Sequence, residues 1–339
     1  MPPPEPSGCD IIAIGASAGG VHALREVIVA LPADLPAAVL VVLHLAPYGR
    51  SALPAILSRS GSLPAVHPED GEAIRPGRIY IAPPDRHMAV EDSKVRLSRN
   101  ASENGHRPAI DVLFRTAARS YKRRVAGVVL TGNLDDGTSG LAAIKRCGGV
   151  AVVQDPEEAD YPSMPQSAIA NVEVDHVLPL AGIGPLLERL AREPRPAAPA
   201  DCGGEIEKEP DTMGVSRPEG EGEGGLRGEP TGLSCPDCGG VLYEKPGEQP
   251  THFRCRTGHA YAPESLLAKQ SGTLEAALWA ALRALEENAA LARRMLRRSS
   301  LLGDRGSERY QRRASDAEKH AKVLREILQE GGAEMEGTG

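Results

Sequence analysis

The stretch Asp10-Ile11-Ile12-Ala13-Ile14-Gly15-Ala16-Ser17-Ala18-Gly19-Gly20 decides how this chain is read. Its first half is a short, continuous apolar run, the pattern of a strand buried on both faces of a parallel sheet. Beyond it, Val21, Leu24, Val27, Ile28 and Leu31 recur at helical spacing. Ser17 therefore falls on a tight turn from strand to helix. Gly15 and Gly19 flank it in a G-x-S-x-G pattern, the spacing of a nucleophile elbow. The glycines permit a sharp bend and close approach of a substrate, and the free N–H groups of the helix start favour developing negative charge. Nucleotide binding is the rival reading, because Gly15-x-Ser17-x-x-Gly20 is one substitution from the dinucleotide fingerprint. Three features count against it. Serine replaces the middle glycine, no lysine comes after it as in a phosphate-binding loop, and the second apolar run, Ala38 to Leu43, ends in His44 rather than an acidic residue.

His44 closes the strand expected beside the one that presents Ser17, and the carboxyl ends of neighbouring parallel strands line one crevice. An imidazole there is the ordinary base for a serine hydroxyl; the plainer alternative is a structural histidine. A third apolar run, Val125 to Leu130, leads into Thr131-Gly132-Asn133-Leu134-Asp135-Asp136-Gly137, a turn before the helical Leu141 to Ile144. One of these aspartates either caps that helix or orients His44 and stabilises its imidazolium, as in a Ser-His-Asp triad.

Taken together, these pieces resemble the catalytic domain of the CheB-type chemotaxis protein-glutamate methylesterases. The resemblance is carried by Ile14 to Gly20, Leu43 to Pro47, Ile79 to Met88, His106 to Phe114, Leu130 to Gly132 with Asp136-Gly137, and Met164 to Ala168, in the family's order. It implies a mainly parallel, doubly wound α/β domain over residues 8–190, with Ser17 as nucleophile, His44 as general base and Asp136 as its partner. It also implies hydrolysis of glutamate methyl esters on the cytoplasmic domain of methylated chemoreceptors, with glutamine deamidation through the same intermediate. No cofactor is implied for catalysis. The family's best-known members carry an N-terminal phosphoacceptor receiver domain; only seven residues precede the first strand region here, so the expectation is a catalytic domain without that brake. Asn133 stands where the family turn usually has Met. A non-catalytic signalling or interaction protein built on the same domain is the competing class, and a nicotinamide-dependent enzyme a third.

A formal charge of −7 over 339 residues argues against a dedicated nucleic-acid binder. The N-terminus lacks a signal-peptide pattern and the longest apolar stretch, near Ala37–Leu45, is too short to span a bilayer, so the expected setting is cytoplasmic without membrane insertion. Residues 191–231 are rich in Pro, Gly and Glu and read as a disordered acidic linker that leaves the C-terminal segments free of the catalytic domain. Cys9, Cys147 and Cys202 are scattered, whereas Cys235-x2-Cys238 and Cys255-x3-His259 are spaced as the ligands of a structural zinc ribbon over residues 232–262. His252 is a rival fourth ligand. Val241 to Tyr243 and Thr251 to Phe253 are its two expected strands. Residues 263–330 carry two apolar stripes at three-to-four spacing, interrupted at Gly303 and Gly306, which predicts an antiparallel helical hairpin that mostly packs on itself, with binding of a signalling partner or dimerisation as the alternative.

Overall fold

The computed structural model describes residues 8–45, 51–194, 228–244, 250–299 and 304–336. They form two compact units, Met1–Leu266 and Leu267–Gly339. The first is organised around β1 (Ile11–Ala16), all of whose residues are buried. β1 pairs in parallel with β2 (Ala38–Leu43) on one side and β7 (Val125–Val129) on the other. Beyond β2 lie β4 (Ile79–Ile81) and β3 (Ala65–Val66); beyond β7 lie β8 (Val150–Gln154) and β9 (His176–Leu178). The resulting seven-stranded sheet has the order β3-β4-β2-β1-β7-β8-β9, with every pairing parallel.

Side chains of β1 alternate between two cores, as the two-residue period of a strand requires. Ile12, Ile14 and Ala16 pack with Leu24, Val27 and Ile28 of α1 (Gly20–Val29) and with Ile183 and Leu187 of α6 (Leu180–Arg192); Leu53 and Leu57 of α2 (Leu53–Ser60) complete that layer. Ile11 and Ala13 face the other layer. There Ile110, Leu113 and Phe114 of α3 (Ile110–Tyr121) meet Leu141 and Ile144 of α4 (Thr138–Arg146), with α5 (Ser163–Asn171) and the hairpin β5 (His87–Glu91) and β6 (Lys94–Ser98) at its margins. Gly15 lies inside β1 rather than in the turn. A Cβ there would fall 2.3 Å from Ile110 Cγ2, so the glycine serves the close seating of α3. Gly19, at φ 73°, makes the bend into α1. From β1 the chain winds outward to β2 on one side and later to β7 on the other, so the carboxyl ends of these strands flank a topological switch point, the usual ligand crevice of such sheets.

The C-terminal part of the first unit is a four-stranded antiparallel sheet of β10 (Glu229–Ser234), β11 (Val241–Glu244), β12 (Phe253–Cys255) and β13 (Ala260–Tyr261). The sequence pattern predicts two strands. β10 begins inside the stretch expected to be linker, and α6 occupies the first residues of that stretch; residues 195–227 of it lie outside the described residues. The expectation that this module stays clear of the catalytic domain is corrected by the structure. Glu103 forms a parallel bridge to Ala260, and the Asn104 N–H donates to the Ala260 carbonyl at 2.8 Å. The physical reason is backbone satisfaction: Glu103 and Asn104 are buried, and the open edge of β13 supplies partners that water does not.

The second unit consists of the body of α7 (Pro263–Ser299) and of α8 (Asp304–Glu336). Leu282, Ala289 and Ala292 of α7 and Ala314, Ala317 and Ala321 of α8 are buried. Ion pairs join Arg325 to Glu286 and Arg293 to Glu318, an antiparallel order. Among the described residues no helix is long and apolar enough to cross a membrane.

Candidate active site

Ser17 comes directly after β1. Its N–H donates to the Thr131 carbonyl (3.0 Å) and its own carbonyl accepts from the Gly20 N–H (2.9 Å), which closes the turn into α1. His44 comes directly after β2, its N–H donating to the Ala16 carbonyl at 3.2 Å. Asp136 lies in the turn after β7. Three strand ends thus bring three side chains together: Ser17 Oγ is 3.1 Å from His44 Nδ1, and His44 Nε2 is 2.7 Å from Asp136 Oδ2.

Every partner of the buried Asp136 carboxylate is a donor. Besides His44, Oδ2 accepts from the Ile110 N–H (2.7 Å), and Oδ1 accepts from Asn104 Nδ2 (2.8 Å) and the Asp111 N–H (3.3 Å). Burial alone would push its pKa up, but the His44 hydrogen bond and charge, with His106 and the Ile110 N–H, outweigh it and hold the group at about 2. A carboxylate only accepts, so the proton of neutral His44 sits on Nε2 and the Nδ1 lone pair faces the serine hydroxyl. That is the tautomer a general base needs. The His106 ring stacks on His44 with centroids 3.7 Å apart and planes 10° from parallel, which covers one face of the imidazole. Gly132 backs the nucleophile: a Cβ there would lie 2.8 Å from Ser17 Cβ.

Neither aspartate caps α4, whose N-cap, Gly137, carries no side-chain bond. Asp135 turns instead to the start of α7, accepting from the Ser265 hydroxyl and, at 3.1 Å, from the Glu264 N–H; burial pushes its carboxyl up. Asp111 is also buried. It accepts from Asn104 Nδ2 (2.9 Å) and the Gly140 N–H (2.6 Å), and burial followed by the Asp136 charge drives its pKa well above the ordinary range. The loop carrying Asn104 and His106 is pinned at both ends by His87, whose Nδ1 accepts from the Ala109 N–H (3.2 Å) while Nε2 donates to the Ala101 carbonyl (3.0 Å). Burial lowers the His87 pKa, in keeping with a neutral ring.

Sequence reasoning missed Asn104, His106 and Asp111 as site residues. His106 and Asp111 lie in the His106-to-Phe114 motif, which carries the resemblance without giving either a role; Asn104 sits two residues outside it and shows no signal beyond its Asn-Gly turn.

A second cluster gathers at the turns of the small sheet. Cys235 Sγ lies 3.7 Å from His259 Nδ1, Cys238 Sγ 3.6 Å from Cys255 Sγ, and Cys255 Sγ 3.5 Å from His259 Nδ1. All four ligand atoms fall within 4.8 Å of one another. Metal–sulfur arms of about 2.3 Å give a tetrahedron with edges of about 3.7 Å, so these residues fit a zinc-sized ion. His252 is not among them; its Nε2 lies 3.4 Å from Glu103 Oε1. Glu103, Asp111 and His252 also group together, but Arg115 grips both Glu103 oxygens at 2.5 and 2.7 Å and neutralises that charge.

Residues 12–187 match the family model for CheB methylesterase. A protein-glutamate methylesterase/protein-glutamine glutaminase of Pseudomonas aeruginosa is 41% identical over 187 residues, 54% of this chain and 53% of that protein. A Leptospira interrogans protein, provisionally given the same name, is 39% identical over 182 residues, 53% of this chain and 94% of its own length. The crystal structure of the Thermotoga maritima CheB methylesterase catalytic domain superposes with a TM-score of 0.52 at 36% identity, covering 53% of this chain and 98% of that one. The chain spans about half the length of the Pseudomonas protein and nearly all of the Leptospira one. With a match that takes in the parallel sheet and all three strand ends of the Ser17 crevice, the chain belongs to the CheB methylesterase family.

Proposed function

We propose that the chain is a protein-glutamate methylesterase that hydrolyses glutamate methyl esters on the cytoplasmic domain of chemoreceptors and releases methanol. The observation that carries this reading is the Ser17–His44–Asp136 relay, with contacts of 3.1 and 2.7 Å and a histidine whose lone pair faces the serine. Ser17 Oγ attacks the ester carbonyl as His44 Nδ1 takes its proton; the imidazolium stays paired with the Asp136 carboxylate. The tetrahedral oxyanion forms beside the N-terminus of α1, where free N–H groups and the helix dipole favour negative charge. His44 then returns the proton to the departing methoxide, and water resolves the acyl-enzyme by the same route reversed. A glutamine side chain reaches the same acyl-enzyme with ammonia as leaving group, which agrees with the double name of the relatives.

The cluster of Cys235, Cys238, Cys255 and His259 fits a structural zinc ion. Four protein ligands fill its coordination sphere, so its contribution is folding free energy, on the order of 10 kcal/mol in small zinc modules. The paired helices α7 and α8 suit a helical hairpin that docks a signalling partner, and a cytoplasmic setting accords with the proposed substrate. The test is methanol release from a methylated receptor domain. Wild type releases methanol in proportion to methylation, and Ser17→Ala releases none while keeping the wild-type circular dichroism. Undiminished turnover in the variant overturns the reading.

A further inference from the structure

Asp136 is held from behind by a residue that the small sheet holds in turn. Asn104 spends both amide protons on carboxylates, Asp136 Oδ1 at 2.8 Å and Asp111 Oδ2 at 2.9 Å. Its own Oδ1 accepts from the Ala262 N–H at 2.7 Å. An amide flipped end for end would set an oxygen against two carboxyl groups and an NH2 against an N–H, so the Ala262 donor fixes which way the group faces. The Asn104 backbone sits at φ 54°, a conformation most residues avoid, and is tied to Ala260 through its N–H.

Ala260 and Ala262 lie within three residues of His259, one of the four clustered ligands. The other ligand turn reaches the same place. Asp237, between Cys235 and Cys238, accepts from the Tyr261 hydroxyl (2.6 Å) and from the Ser102 hydroxyl (2.8 Å). Among the described residues, the buried core of this sheet is Cys235, Leu242, Cys255, Tyr261 and Leu266. So small a core does not hold a unique fold unaided, and two of its members are ligands.

We propose that the small sheet is part of the catalytic apparatus. Metal bound by Cys235, Cys238, Cys255 and His259 fixes β13, β13 fixes the Asn104 amide, and Asn104 keeps Asp136 in register with His44. Turnover therefore depends on metal occupancy. Asn104 is a positioning residue that acts through Asp136. The inference rests on the esterase reading and on the metal site proposed above.

The full chain is stripped with a chelator and refilled with Zn2+ or with Co2+, whose thiolate absorption reports occupancy independently of activity. Hydrolysis of p-nitrophenyl acetate and the rate of Ser17 labelling by a fluorophosphonate are monitored together. As occupancy falls, kcat and the labelling rate drop together by about 10- to 100-fold with KM little changed, and both return on refilling. Asn104→Ala keeps the cobalt spectrum and loses kcat by a similar factor, and added metal does not restore it. Ala262→Pro, which replaces the N–H that Asn104 Oδ1 accepts with a ring methylene, shifts kcat the same way. Should stripping unfold the chain, these two variants decide, because they leave the ligands in place. Full turnover without metal, wild-type kcat in both variants, or no cobalt–thiolate absorption overturns the proposal. A metal-dependent esterase that labels at Ser17 yet leaves methylated receptor intact supports this coupling while refuting the substrate assignment.

Discussion

Asp136→Asn is the substitution whose effect the hydrogen-bond pattern specifies most tightly. His44 Nε2 and the Ile110 N–H both donate to Oδ2 at 2.7 Å, and Asn104 Nδ2 (2.8 Å) and the Asp111 N–H (3.3 Å) donate to Oδ1. An amide brings two donors of its own to one of these positions. If its nitrogen faces His44, the ring must accept at Nε2, the proton moves to Nδ1, and Ser17 loses its base. If its nitrogen faces Asn104, two NH2 groups oppose each other in a buried site, at about 1–3 kcal/mol, and the imidazolium loses its counter-charge. By either route kcat should fall about 10³–10⁴-fold, or about 4–5.4 kcal/mol at 1.36 kcal/mol per decade. Steady-state methanol release and small-ester hydrolysis measure the loss, with circular dichroism to verify the fold. A folded variant within about tenfold of wild type would refute this account of the relay.

His106→Ala strips one face of the His44 ring; a stack of this kind contributes about 0.5–1.5 kcal/mol, so kcat should drop about two- to tenfold and His106→Phe should recover most of it. Equal rates in all three proteins would remove the stack from the mechanism. Gly132→Ala puts a Cβ 2.8 Å from Ser17 Cβ and 2.2 Å from the buried Met164 Sδ; both must give way, so ester hydrolysis should fall at least about tenfold and overpacking of about 1–3 kcal/mol should lower the thermal melt. Wild-type turnover would show that the turn has slack. Burial pushes both Asp136 and Glu103 up, but His44 and Arg115 respectively win, and both pKa values end below the ordinary range. Their stabilisation is present above the ordinary carboxylate pKa and is lost as pH falls through the folded values. Denaturant melts between about pH 4 and pH 2 should therefore show wild type losing more stability than Asp136→Asn, and equal loss would contradict the assignment.

The fold was legible where burial leaves a plain mark. β1 and β2 are covered on both faces, so they appear in sequence as unbroken apolar runs, and the residues at their ends, Ser17 and His44, could be placed on one crevice from topology alone. Choosing Asp136 over Asp135 needed the family resemblance, since two adjacent aspartates in a turn look alike; only the structure shows Asp135 turned away to Ser265, 130 residues along the chain. Asn104 was illegible for a related reason. An Asn-Gly pair reads as a surface turn, whereas its carboxamide is buried between Asp111, Asp136 and the Ala262 N–H, the last 158 residues distant. The docking of the small sheet was hidden in the same way. The composition of residues 191–231 signals a tether, and a tether says nothing about whether its cargo returns to the domain it left.

If Ser17 is the activated nucleophile, a covalent serine-directed inhibitor traps it. The native protein is treated with a fluorophosphonate and the adduct is located by peptide mass spectrometry. One adduct is expected, on the peptide containing Ser17, with no label in Ser17→Ala and slowed labelling in Asp136→Asn. An adduct on another serine, or equal labelling of Ser17→Ala, would contradict it.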